Sequence, residues 1–464
     1  MESYKGIADD IITAAKDRLE ALVDETMRFE NRTYSSKGSR ILLAFVRAAA
    51  QELDKSFDQE TKIVDEGLLF PKEIDDRLHR LIFLIPWLHL LVGFIEGSDI
   101  HHAPGQLIQP LRRYVGSVIE KSDIIVCAKS ELNYSIQELA KTIRSLSEIV
   151  PELKSSASQL PEYLFIITIP SVESSDILIH GVVAHELGHA LYNRHGLGAI
   201  IFPDINLRED LIKDLVPIVS TLQDPDSARS EVGLRRDLTE TVAKRVTKWL
   251  KELGADAIGV HLFGPALFFS AIQVLTTLDH IDQCSETHPP LKLRIKVMSR
   301  ILKENYPIEK WPTALKRLLA DWDEVGEMPI ALGALVDNVT FECLNIGRNL
   351  DVINSATQGI LNDNLRYDAE KHASDVERLV PLLLSLIPCG ETGQLGMTKS
   401  IELPSIINAG WYVYLCEFEK FRSQLYEIDR KSRSASKRKL HELILKSLEI
   451  SEIRLAWLEM ANDS

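Results

Sequence analysis

Cysteine is scarce in this chain, and the five present (Cys127, Cys284, Cys343, Cys389 and Cys416) are scattered, odd in number and free of any CxxC pair. This excludes a disulfide framework and predicts reduced thiols in a cytoplasmic setting. Basic charge is also short. Lys and Arg number 53 against 68 Asp and Glu, a formal net charge of −15, which argues against nucleic acid or an anionic membrane face as the main partner. The one basic run, RKSRSASKRK from Arg430 to Lys439, is diluted by Ser and Ala and reads as a solvated loop between two helices. Long apolar runs are missing too. The most apolar stretch, LIFLIPWLHLLVGFI from Leu81 to Ile95, falls short of the ~20 residues a spanning helix needs. It is interrupted by Pro86 and His89. It reads as a buried helix, kinked or broken at Pro86, with no membrane span expected. The N-terminal MESYKGIADDIITAAKDRLE has no basic segment followed by an apolar core, so no signal peptide is expected. There is no internal repeat and no low-complexity tract.

What remains is an ordinary globular composition, 45% hydrophobic and 26% charged over 464 residues, long enough for two or three domains. Helical apolar spacing recurs in 7–28, 40–57, 72–96, 207–222, 234–262, 265–280, 291–305, 312–320, 376–387 and 440–460. Strand-like runs are few, the best being DIIVCA (Asp123 to Ala128) and YLFIITIP (Tyr163 to Pro170). The expected fold class is therefore mainly α with a small β-sheet. Polar, Pro-punctuated segments at 145–163 and 303–312 suggest three regions. These are an N-terminal helical region 1–150, a core 151–310 and a C-terminal helical region 311–464, the last holding a long loop over 385–404.

The chemistry concentrates in VVAHELGHAL, Val182 to Leu191. An α-helix turns about 100° per residue, so His185 and His189 lie about 40° apart around the axis and about 6 Å apart along it. Two imidazoles so placed can bind one tetrahedral metal ion. Glu186, at the edge of that face, can serve a water beside the metal without being a ligand. The residues around them are uncharged, as a buried catalytic helix requires. Gly188 costs up to ~1 kcal/mol relative to Ala in mid-helix, and close approach by another backbone would explain it. Two core histidines satisfied by neighbours are the simpler alternative, so the rest of the chain must decide.

A catalytic zinc takes three protein ligands and one open position. Downstream, WLKELGADAIGVHLFGP (Trp249 to Pro265) places Glu252 and Asp256 one turn apart in an apolar run. An isolated ExxxD is usually a surface feature, but carboxylates entering a buried helix need partners. Glu252 can be the third ligand. Asp256 can accept a hydrogen bond from the other ring nitrogen of a ligating histidine, and Gly254 and Ala255 allow close packing. ETHPPLKLRI (Glu286 to Ile295) then sets His288 on a Pro-fixed loop, from which it can donate to an oxyanion, with Arg294 on the following helix in support. YLFIITIP, as an edge strand, could also take an extended peptide by β-addition. His180, His101, His102 and His261 read as structural or loop residues.

In this order, HELGH, ELGAD and THPPLKLRI resemble the gluzincin metallopeptidases, most closely the minigluzincin and CAAX-prenyl-protease/HtpX-like group, over about residues 160–305. The resemblance implies a zincin-like core with one Zn²⁺ on His185, His189 and Glu252. It also implies Glu186 as general base, Asp256 in support and His288 as transition-state stabiliser. Prenyl proteases and HtpX-like enzymes are membrane-embedded, whereas a soluble enzyme is expected here. The expected activity is zinc-dependent hydrolysis of peptide or protein substrates. A regulatory protein partner could use the helical flanks. The alternatives are a catalytically inactive or latent peptidase-fold binding or regulatory protein, and a helical interaction protein without metal.

Overall fold

A computed structural model describes residues 2–34, 36–66, 71–99, 105–131, 133–173, 176–201, 209–220, 230–278, 283–327, 335–344, 346–361, 365–389 and 401–462. The fold is mainly helical with one small mixed sheet, the expected class. It divides into two compact units, Met1–Ser175 and Asp176–Ser464.

The first unit contains helices α1 (Glu2–Glu30), α2 (Lys37–Glu66), α3 (Pro71–Gly97) and α4 (Gly105–Val118). Strands β1 (Ser122–Lys129) and β2 (Ser135–Glu138), helices α5 (Leu139–Ile149) and α6 (Lys154–Ala157), and strand β3 (Tyr163–Pro170) follow. On α2, Leu42, Phe45, Val46, Ala49, Leu53 and Phe57 recur at helical spacing and are buried. The sheet order is β1-β3-β2. β3 runs parallel to β1, Ser122 opposite Tyr163, and antiparallel to β2, Glu138 opposite Phe165. β3 is thus the central strand, already paired on both sides, and not the edge expected for peptide addition. Its near-continuous apolar sequence is that of a strand covered on both faces. Because β3 pairs with β1 and β2, the first unit extends to Ser175, beyond the boundary expected at 150.

α3 runs unbroken through Pro86, although proline removes one backbone hydrogen bond there. The charged residues Asp75, Asp76, Arg77 and Arg80 precede the apolar run and belong to the same helix, close to the 72–96 expected from spacing. The segment Asp75–Gly97 is long and apolar enough to cross a membrane by length and composition, and half of its most apolar window is buried within the protein. Leu78, Leu81, Leu84, Ile85, Leu88 and Leu91 face α1, α2 and β1, while Phe83 and Leu90 are exposed.

In the second unit come α7 (Val183–Arg194), α8 (Leu197–Ile201), α9 (Glu209–Ser220), α10 (Glu231–Phe263), α11 (Pro265–Leu278), α12 (Leu291–Asn305) and α13 (Thr313–Glu327). They are followed by α14 (Leu335–Leu344), α15 (Ile346–Ile360), α16 (Ala369–Leu384), α17 (Leu403–Cys416), α18 (Phe418–Gln424), α19 (Glu427–Arg430) and α20 (Arg433–Asn462). α10 is the axle, packing against α7, α9, α12, α14 and α15. Its N-cap Ser230 accepts a hydrogen bond from Gly233 N at 3.2 Å. Gly264 stops it at φ +58°, a conformation that favours glycine.

Most of the basic run 430–439 is the first turns of α20 and not a loop. Ser432 starts that helix, its hydroxyl accepting from Ala435 N at 3.3 Å, and Lys and Arg are good helix formers. Of the long loop expected over 385–404, residues 390–400 lie outside the described residues, as do His101 and His102.

Candidate metal centre

The site exists because α7 and α10 cross at backbone contact. A methyl group on Gly188 would lie 2.4 Å from the Ala255 carbonyl oxygen and 2.8 Å from its Cα. One on Gly259 would lie 3.1 Å from the Ala184 carbonyl, and one on Gly254 would strike the Tyr192 ring at 2.6 Å. The two sequence segments HELGH and ELGAD therefore interlock through their small residues, and their polar residues are carried to one place.

His185 Nε2 lies 3.4 Å from Glu252 Oε2, and His189 Nε2 lies 3.3 Å from Glu252 Oε1. One donor atom from each of the three residues falls within 4.8 Å of the others, so the trio could hold a metal ion. Tetrahedral bonds of about 2.0–2.1 Å set neighbouring donors about 3.3–3.4 Å apart, and each histidine stands at about that distance from one oxygen of Glu252, His185 from Oε2 and His189 from Oε1. The fit is supported by a polar atom otherwise left without a partner. Glu252 Oε2 is buried and makes no hydrogen bond among the described residues, a costly state unless something else satisfies it.

Around this trio the polar groups are ordered. His185 Nδ1 donates to Asp256 Oδ1 at 2.8 Å, which leaves Nε2 facing Glu252. Asp256 is fully buried and is gripped by Arg294, Nε to Oδ2 at 2.8 Å and Nη2 to Oδ1 at 2.7 Å. Burial opposes the Asp256 charge, but Arg294 and His185 outweigh it and hold the carboxyl below its usual range. For His185, burial and the nearby Arg294 charge act downward. The carboxylates of Asp256 and Glu252 outweigh them and raise its pKa to about 9. His189 is pushed the other way, to about 4, by burial and by repulsion from His185. Glu252 stays ionised despite burial, since both imidazoles favour its charge. The surroundings thus favour the charged form of His185 and the neutral form of His189.

Glu186 is buried on α7 beside His185, close enough for its charge to favour the Arg294 cation. His288 stands on the loop before α12, its ring exposed and its Nε2 3.8 Å from Glu252 Oε2. Every site residue picked out in the sequence is therefore brought into one neighbourhood: His185, Glu186, His189, Glu252, Asp256, His288 and Arg294. THPPLKLR acts as one device, because His288 reaches one carboxylate of the ExxxD pair and Arg294, in the first turn of α12, reaches the other. His261 is a core residue, its Nε2 2.9 Å from Asn354 Oδ1, and burial lowers its pKa to about 4. His180 is buried ahead of α7.

Sequence reasoning missed the support beneath His288. Trp249, one turn before Glu252 on α10 and fully buried, donates from Nε1 to Ser285 O at 3.0 Å. Ser285 Oγ accepts from Thr287 N at 3.2 Å and His288 N at 2.9 Å. The signal was the serine and threonine immediately before His288, a pattern that folds back on its own backbone. No family model, curated protein or solved structure matches the chain.

Proposed function

We propose that the protein is a zinc-dependent metallopeptidase whose second unit carries a zincin-like catalytic centre acting on peptide or protein substrates. The observation that carries this reading is the convergence of His185, His189 and Glu252, one donor atom of each within 4.8 Å of the others, with a buried glutamate, Glu186, next to the first of them. Two imidazoles and one carboxylate suit zinc and leave a coordination position open, as catalytic sites require. When bound, zinc supplies a Lewis acid and lowers the pKa of water toward ~7. The remaining steps belong to side chains. Asp256 keeps the proton of His185 on Nδ1, so that Nε2 retains its lone pair. Arg294 holds Asp256 ionised. The Glu186 carboxylate takes a proton from the attacking water and returns it to the leaving amine. His288 donates from Nε2 to the oxyanion that develops on the substrate carbonyl. No disulfide joins the five cysteines, which supports the proposal of a reducing, cytoplasmic setting.

The test is hydrolysis of casein and a peptide library by the zinc-loaded chain, the chelator-stripped chain and Glu186→Gln. Cleavage is expected only with zinc, and at least about 100-fold less in Glu186→Gln, which should retain its metal. Equal cleavage by Glu186→Gln would remove that residue from the chemistry. Zinc bound without turnover on any substrate would favour a peptidase-fold binding or regulatory protein.

A further inference from the structure

The turn Ser285–His288 is bolted to the same helix that supplies Glu252, and its hydroxyls form a directed chain. Ser285 Oγ has two lone pairs, and two backbone N–H groups occupy them, those of Thr287 and His288. The Ser285 hydroxyl proton is therefore left to donate, and Thr287 Oγ1 lies 3.1 Å away. Thr287 Oγ1 in turn lies 2.8 Å from His288 Nδ1. Ser285 Oγ also lies 3.4 Å from Nδ1 and, its lone pairs filled, can meet that nitrogen only by donating, so Nδ1 is the ring's acceptor and the Thr287 hydroxyl donates to it as well. The ring proton of neutral His288 then resides on Nε2, the nitrogen 3.8 Å from Glu252 Oε2. The backbone is fixed as well. Ser285 N donates to His288 O at 2.9 Å, Trp249 holds Ser285 O, Lys248 pairs with Glu286, and Pro289 and Pro290, next in the chain, are buried. An exposed histidine held this way is a donor aimed in advance at the metal centre.

We propose that Thr287 is a positioning residue that selects the Nε2–H tautomer of His288 and aims it at the centre formed by His185, His189 and Glu252. Its catalytic consequence rests on the peptidase reading above, but the tautomer itself does not.

The experiment joins two readouts on the full chain. First, the ring nitrogens of His288 are observed by NMR on ¹⁵N-histidine-labelled protein, at a pH raised until the His288 signals no longer move. The signal is assigned by its loss in His288→Gln. Wild type should show protonated Nε2 with Nδ1 as acceptor. Thr287→Val should move the pattern toward a mixture of tautomers, and Thr287→Ser should keep it. Second, kinetics should show kcat falling roughly tenfold in Thr287→Val, the loss of one hydrogen bond, with KM and zinc content unchanged. The same substitution should cost nothing further in His288→Ala. Protonated Nδ1 in wild type, or unchanged ring shifts in Thr287→Val, overturns the proposal. A further loss in the His288→Ala background overturns it too, since that would mark a merely structural role. If no variant shows peptidase activity, the peptidase reading fails alone and the ring assignment still decides the tautomer.

Discussion

Metal binding at this site should expel one proton at acid pH, not two. Metal and proton compete for the same Nε2 lone pairs, because only a neutral imidazole can ligate. His185 has its pKa raised to about 9 by Asp256 and Glu252 against burial, and His189 has its pKa lowered to about 4 by burial and by its neighbour. At about pH 5.5, His185 is protonated and His189 is almost entirely neutral. The free site then holds about one proton, and metal binding releases that one. Two histidines at the unperturbed pKa of ~6.5 would together release about 1.8. Glu252 is ionised throughout and contributes nothing. Ionisation of a coordinated water, near ~7, is silent at this pH. The sign follows: affinity rises with pH, about tenfold per unit between about pH 5 and 6.5, or ~1.4 kcal/mol per unit, and more steeply above about 7, where a coordinated water would also ionise. Calorimetric titration with zinc in buffers of different ionisation enthalpy counts the protons directly. A count near two at about pH 5.5, or near zero, would refute the charge arrangement assigned to the pair.

Asp256→Asn removes the carboxylate that holds the His185 ring and leaves Arg294 without its ion-pair partner. Zinc affinity should fall about 10- to 100-fold, measured by competition with a chromophoric chelator. Gly188→Ala forces a methyl group to 2.4 Å from the Ala255 carbonyl oxygen, so α7 and α10 must separate. Thermal unfolding should register a cost of about 1–3 kcal/mol, with weaker zinc binding, and an unchanged midpoint would show that the helices do not touch there.

Long elements with a strong apolar period were legible in the sequence. α1, α2, α10 and α12 fall where 3.6-residue spacing put them, and HELGH and ELGAD could be paired because carboxylates in a buried helix need partners. The close approach inferred from Gly188 is met by the Ala255 backbone. Other features depend on contacts that sequence spacing does not encode. β2 is four residues long and partly polar, so nothing announced that it would pair with β3 and turn an expected edge into the centre of the sheet. Pro86 suggested a break, but the packed face of α3 keeps the helix continuous. The Ser/Ala-diluted basic run looked like a loop because its charges are solvated, yet Lys, Arg and Ala are all compatible with helix. The hydroxyl chain beneath His288 was present as Ser285 and Thr287, but its direction emerges only once Trp249 fixes the turn.

The most direct test of the site is zinc per chain, by elemental analysis, on wild type and Glu252→Ala prepared without chelator. About one zinc in wild type and far less in Glu252→Ala is expected, since the variant removes the carboxylate common to both histidine contacts. Absence of zinc from wild type, or equal zinc in the two proteins, would contradict a three-ligand centre at His185, His189 and Glu252.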